Sequence, residues 1–184
     1  MNIQKAASTA NTIIRHLDHG GERGIFAADS QNGDACRAGG ASVSLSAHPD
    51  DEFYIINNTI LSQGWAMTEI YCYTLDFPGQ TPCTGNEKLY LVNNIFYAFP
   101  NATREGDWPD LIGDEDPWGI TRPELIHHNL FYNVQMDVSV SDENIKGQNP
   151  LFVRSDDINN IDAHLTESSP AVDKGLNAGE LEGR

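Results

Sequence analysis

The chain has 184 residues, with 11 Lys and Arg against 27 Asp and Glu, for a formal charge of −16. Such a surface repels phosphate backbones and anionic headgroups, which argues against nucleic acid and acidic membrane as partners. No apolar run reaches 18 residues, and 39% hydrophobic residues with three Trp, six Tyr and seven Phe describe one folded domain, 1–184, rather than a disordered chain.

Met1 to Thr12 lacks the basic-then-apolar layout of a signal peptide. The chain therefore reads either as intracellular or as one whose targeting segment is missing. In chain order, Asn11-Thr12-Ile13-Ile14 is a weak first copy of a motif, followed by a strand at Gly24 to Ala28. The motif is clear in Tyr54-Ile55-Ile56-Asn57-Asn58-Thr59-Ile60-Leu61, and a strand with period-2 alternation follows at Glu69 to Tyr73. Residues 76–87 are turn-rich. The motif returns at Tyr90-Leu91-Val92-Asn93-Asn94-Ile95-Phe96-Tyr97 and, after an acidic excursion over 100–123 with four Pro, Trp108 and Trp118, at Leu125-Ile126-His127-His128-Asn129-Leu130-Phe131-Tyr132. Asn58, Asn94 and Asn129 align without gaps at spacings of 36 and 35.

Asn is used 16 times. It tolerates the left-handed backbone region and stacks into hydrogen-bonded ladders when equivalent positions lie above one another. A near-constant period with Asn between short apolar runs predicts strand, corner, strand, turn, strand, repeated. No stretch shows a 3.6-residue period, so helix content is expected to be low. The expected interior column is Ile55, Ile60, Leu91, Ile95, Ile126 and Leu130. Cys36, Cys72 and Cys83 are too few for a disulfide framework or a zinc site. A Cys72–Cys83 bridge and a small buried Cys72 both stay open.

The tail, Gly147-Gln148-Asn149-Pro150-Leu151-Phe152-Val153, then Ala163-His164-Leu165, then Ser168-Ser169-Pro170-Ala171-Val172-Asp173-Lys174-Gly175, resembles the closing segment of the right-handed parallel β-helix superfamily related to pectate lyases. The Asn57-Asn58-Thr59-Ile60 and Asn93-Asn94-Ile95-Phe96 corners resemble its coil repeat. So does His48-Pro49-Asp50-Asp51-Glu52-Phe53-Tyr54-Ile55-Ile56-Asn57-Asn58-Thr59, seen in uncharacterised bacterial members. The resemblance implies an all-β chain, a short right-handed parallel β-helix with coils over about 11–146 and a C-terminal closure over 147–184. It also implies an extracellular or cell-surface protein. Family members are longer, so the first coil is expected to need a covering N-terminal segment or self-association into a homo-oligomer through that open end.

Fold alone does not assign chemistry. The leading expectation is a module that binds polysaccharide or a partner through its loop-bearing face, without a cofactor. Trp108 and Trp118 would supply aromatic faces for sugar C–H surfaces. The alternative is a carbohydrate-active enzyme, a polysaccharide lyase or glycoside hydrolase. Its carboxylates would be Asp107, Asp110, Asp114, Glu115 and Asp116, its basic groups Lys88, Arg104 and Arg122, with Ca2+ if it is a lyase. A third reading rests on Ala47-His48-Pro49-Asp50-Asp51-Glu52, which resembles the zinc motif of LmbE-like N-acetylsugar deacetylases. By that resemblance His48 and Asp51 would be metal ligands and Asp50 the base. That motif is expected to lead into a helix, which the β-branched residues after Phe53 oppose. His127 and His128 are adjacent on an expected strand, which predicts rings on opposite faces and no shared ion.

Overall fold

The computed structural model describes residues 13–17, 25–26, 41–47, 52–62, 66–72, 85–100, 107–113, 122–156 and 161–176. These residues are rich in strand, and their one helical element is a 3-10 turn at Pro123–Leu125. The strands are β1 (Ile13–Leu17), β2 (Ile25–Phe26), β3 (Ala41–Ala47), β4 (Glu52–Ile56), β5 (Thr59–Ser62), β6 (Ala66–Cys72) and β7 (Lys88–Val92). They continue with β8 (Ile95–Ala98), β9 (Asp110–Gly113), β10 (Ile126–His127), β11 (Leu130–Tyr132), β12 (Ile145–Lys146), β13 (Phe152–Arg154) and β14 (Asp162–Leu165).

Each strand from β3 to β8 pairs in parallel with the strand three places later. The chain therefore visits three sheets in the same order on successive repeats: β3-β6-β9, β4-β7-β10 and β5-β8-β11. The pairings Glu52↔Lys88 and Leu91↔Ile126 carry the spacings of 36 and 35 found between the asparagines. A fourth, shorter passage follows. Gln135 bridges Asp110, the Ser141 amide donates to the Ile126 carbonyl, and β12 pairs with β11. Parallel neighbours need a long connection, and the other two strands of each repeat provide it.

The expected corner is present. Asn57, Asn93 and His128 have φ of 59°, 57° and 57°, the left-handed region that Asn enters with least strain. The residue after each turns its side chain into a buried ladder. The Asn94 Oδ1 accepts from the Asn58 amide at 2.9 Å, the Asn129 Oδ1 from the Asn94 amide at 2.9 Å, and the Asn144 Oδ1 from the Asn129 amide at 2.9 Å. The side-chain amides donate in turn to strand carbonyls, Asn94 to Ile55 at 2.8 Å and Asn129 to Leu91 at 2.7 Å. Asn144 is a fourth member that the repeat pattern misses. It lies only 15 residues after Asn129, in Asp142-Glu143-Asn144-Ile145-Lys146 rather than an apolar run.

Alternation in β4 and β7 buries Phe53, Ile55, Leu89 and Leu91. The expected column is right at Ile55, Ile60, Leu91 and Ile126, Leu130 is buried as well, and the correction falls on Ile95, which is only half-buried. Across β5, β8 and β11, Ile60 pairs with Phe96 and Phe96 with Phe131, whereas Thr59 pairs with Ile95 and Ile95 with Leu130. The inner residue stands two places after the Asn, so Phe96 and Phe131, both fully buried with ring centroids 5.2 Å apart, carry the interior.

Two other expectations change. Ile13–Leu17 and Ile25–Phe26 pair antiparallel, on the outer edges of β4 and β3, so this segment is not a parallel fourth copy of the motif. It lies along edges that would otherwise present unpaired amides. The acidic excursion contains β9, whose Leu111 and Ile112 are buried in the core. The tail reaches back to the second repeat. Asn93 accepts from the Leu176 amide and donates to the Leu176 carbonyl, both at 2.8 Å, and Phe152 packs on Tyr97 at 5.3 Å.

Candidate functional site

Three places on this scaffold gather polar chemistry. The first is the outer face of β4 and β7. Because Phe53, Ile55, Leu89 and Leu91 point inward, Glu52, Tyr54, Lys88 and Tyr90 point outward in register. The Lys88 ammonium lies 2.6 Å from Glu52 Oε1, and the Tyr54 hydroxyl donates to Glu52 Oε2 at 2.6 Å. The Tyr54 and Tyr90 rings stack with centroids 4.4 Å apart and planes 4° from parallel. The bond to Glu52 holds the Lys88 pKa above its ordinary value, and burial together with the Glu52 bond pushes the Tyr54 phenol up. Lys88 is thus kept as an ammonium and is a poor base for proton abstraction. Arg122 donates to the Gly85 carbonyl at 3.3 Å, which ties the start of the 3-10 turn to the bend that leads into β7.

The second place surrounds β9. Asp107 is exposed, Trp108 is 38% exposed, and Asp110 is half-buried. Trp108 is the only aromatic among the large apolar side chains exposed in the described residues, the others being Leu151, Val153 and Val172. Asp137, which the sequence reading overlooks, accepts from the Ile112 amide at 3.0 and 3.2 Å. Burial is the main cause that lifts its pKa from 3.8 to about 6. The Ile112 bond opposes the rise and the charge of Asp110 adds to it.

The folded pKa of Asp137 therefore exceeds the unfolded one. As pH rises from about 4 to about 6 the unfolded chain loses this proton first, and stability falls over that window. Asp137→Asn keeps an acceptor for Ile112 and removes the buried charge. It is expected to flatten the stability–pH curve between pH 4 and 6 and to stabilise the protein at pH 7 by ~1 kcal/mol, after allowance for solvent screening. Urea unfolding of both proteins across that range checks this; a variant curve parallel to the wild-type one would be the contrary result.

The third place is the corner after β10. The expectation that His127 and His128 point to opposite faces holds for extended backbone only. With φ of 57° at His128 the alternation breaks, and the two Nδ1 atoms stand 3.0 Å apart with the rings at 86°. Glu143, one repeat further on, places Oε2 3.5 Å from His128 Nδ1. His127 is buried, the His128 side chain is 19% exposed and that of Glu143 57%.

Of the other residues singled out from sequence, His48, Asp50, Asp51, Arg104, Asp114, Glu115, Asp116, Trp118 and Cys83 lie outside the described residues. The chain after Glu52 is strand, corner and strand, not the helix that the deacetylase motif leads into. Among the candidate carboxylates and bases, Arg122 lies near enough to Lys88 for its positive charge to oppose the rise in the lysine's pKa, and no described hydrogen bond or ion pair joins either of them to Asp107. Lys88 and Arg122 are engaged as given above. Comparison with family models, with curated proteins and with solved structures returns no match.

Proposed function

We propose that this chain is a short right-handed parallel β-helix that works as a non-catalytic module binding neutral glycan beside Trp108. The parallel order of the three sheets and the in-register Asn ladder support the β-helix. The right hand follows the usual chirality of parallel crossovers. The observation that carries the function is Trp108, an indole more than a third in water, with Asp107 exposed beside it and Asp110 two residues on. Aromatic faces pack on sugar C–H surfaces, and carboxylates accept bonds from sugar hydroxyls. A net charge of −16 favours neutral glycans over uronates. The engagement of Lys88 with Glu52 weighs against a lyase, because the ammonium is stabilised.

A glycan array followed by calorimetry on the best neutral binder tests this. Trp108→Ala is expected to weaken binding about tenfold, in line with loss of one aromatic contact, without changing thermal stability by more than a few degrees. A protein that binds no neutral glycan, or an alanine variant that binds as well as wild type, rejects the reading. Elimination products released from pectin or alginate would favour the lyase instead.

A further inference from the structure

We infer that His127, His128 and Glu143 form a binding site for a divalent first-row transition metal such as Zn2+, clamping the third repeat to the fourth. Two imidazole nitrogens bound to one tetrahedral zinc at ~2.0–2.1 Å stand about 3.3 Å apart. The two Nδ1 atoms here are 3.0 Å apart and the carboxylate oxygen is 3.5 Å from the second. All three ligand atoms lie within 4.8 Å of one another. Three lone-pair-bearing atoms converge.

The backbone builds this placement. The left-handed corner at His128 turns its ring to the same side as that of His127. The Asn129–Asn144 step of the ladder sets the register that brings Glu143 beside it. Ser141 holds the carboxylate, its Oγ donating to Glu143 Oε2 at 3.4 Å and accepting from the Glu143 amide at 3.2 Å. The equivalent corner pairs in the first two repeats are Ile56-Asn57 and Val92-Asn93, so the ligand set belongs to this repeat boundary. Two imidazoles and a carboxylate suit Zn2+, and a part-exposed three-ligand site leaves a fourth position for water.

Full-length protein is titrated with Co2+ and then Zn2+. One Co2+ per chain is expected, with visible ligand-field bands, without thiolate charge-transfer absorption, and with displacement by Zn2+. His128→Asn installs the residue that the other corners use, so the fold is retained; it should weaken Zn2+ binding at least 100-fold. Glu143→Gln, at an exposed side chain, should weaken it about tenfold. Zn2+ should raise the unfolding temperature of wild type and leave that of His128→Asn unchanged. Binding of equal strength in His128→Asn, thiolate bands in the cobalt spectrum, or no uptake at millimolar metal would each overturn the site, the first by assigning the metal to other histidines.

Discussion

Asn94→Ala is expected to lower the unfolding free energy by ~3–5 kcal/mol, a large part of the 5–15 kcal/mol typical of a domain. Asn94 is 1% exposed and makes bonds on both sides. Its Oδ1 accepts from the Asn58 amide at 2.9 Å, and its Nδ2 donates to Ile55 O at 2.8 Å and Asn129 Oδ1 at 3.0 Å. Alanine leaves a buried N–H and a buried carbonyl without these partners, and each orphan costs ~1–3 kcal/mol. Asn94→Asp sharpens the test. It keeps the acceptor but faces Ile55 O and Asn129 Oδ1, two acceptors, with a buried carboxylate. Burial raises that carboxyl's pKa, so this variant should regain stability as pH falls through the carboxylate range, whereas Asn94→Ala should not. Urea unfolding at pH 7 and pH 4 reads both effects. A loss below 1 kcal/mol for Asn94→Ala would mean that the ladder is not a principal tie between repeats.

Phe96→Ala should cost about as much, ~3–5 kcal/mol, because a fully buried ring stacked on Phe131 is removed from a close-packed interior. Its neighbour Ile95, on the same strand, is half-buried and stands on the Thr59–Leu130 row. Ile95→Ala is expected to cost only ~1 kcal/mol. Thermal and chemical unfolding of the pair checks the register: equal losses would mean that the inner row is misassigned. The two residues are adjacent and both apolar, so the difference measures facing direction rather than hydrophobicity.

The corners were legible because three things coincide there: a constant spacing of Asn58, Asn94 and Asn129, apolar runs on either side, and residue types suited to their places, Asn57 and Asn93 to the left-handed turn and the asparagine after it to the ladder. Asn144 was not, because its repeat is shortened to 15 residues and its flanks are polar. Strand β3, Ala41-Ser42-Val43-Ser44-Leu45-Ser46-Ala47, went unread although apolar residues and Ser alternate at all seven positions, because it lies outside the Asn-anchored repeat. Strand β9 was hidden in a proline-rich acidic stretch, where composition reads as loop although Leu111 and Ile112 reach the core.

The histidine pair shows the limit most clearly. Period-2 alternation is a property of extended backbone, and it separates His127 from His128 until one φ of 57° is known. Glu143 is then brought in by pairing between repeats, which no local pattern reports. The sequence alone determined the strand-rich character, the repeat length and three of the four ladder asparagines, since these depend on residue preferences that recur at fixed spacing. The tertiary structure decided which residue of each apolar pair faces inward, that the N-terminal strands run antiparallel along open edges, that the tail folds back on Asn93, and which polar groups meet. Those outcomes depend on register and on one backbone angle, and neither is encoded in the identity of any single residue.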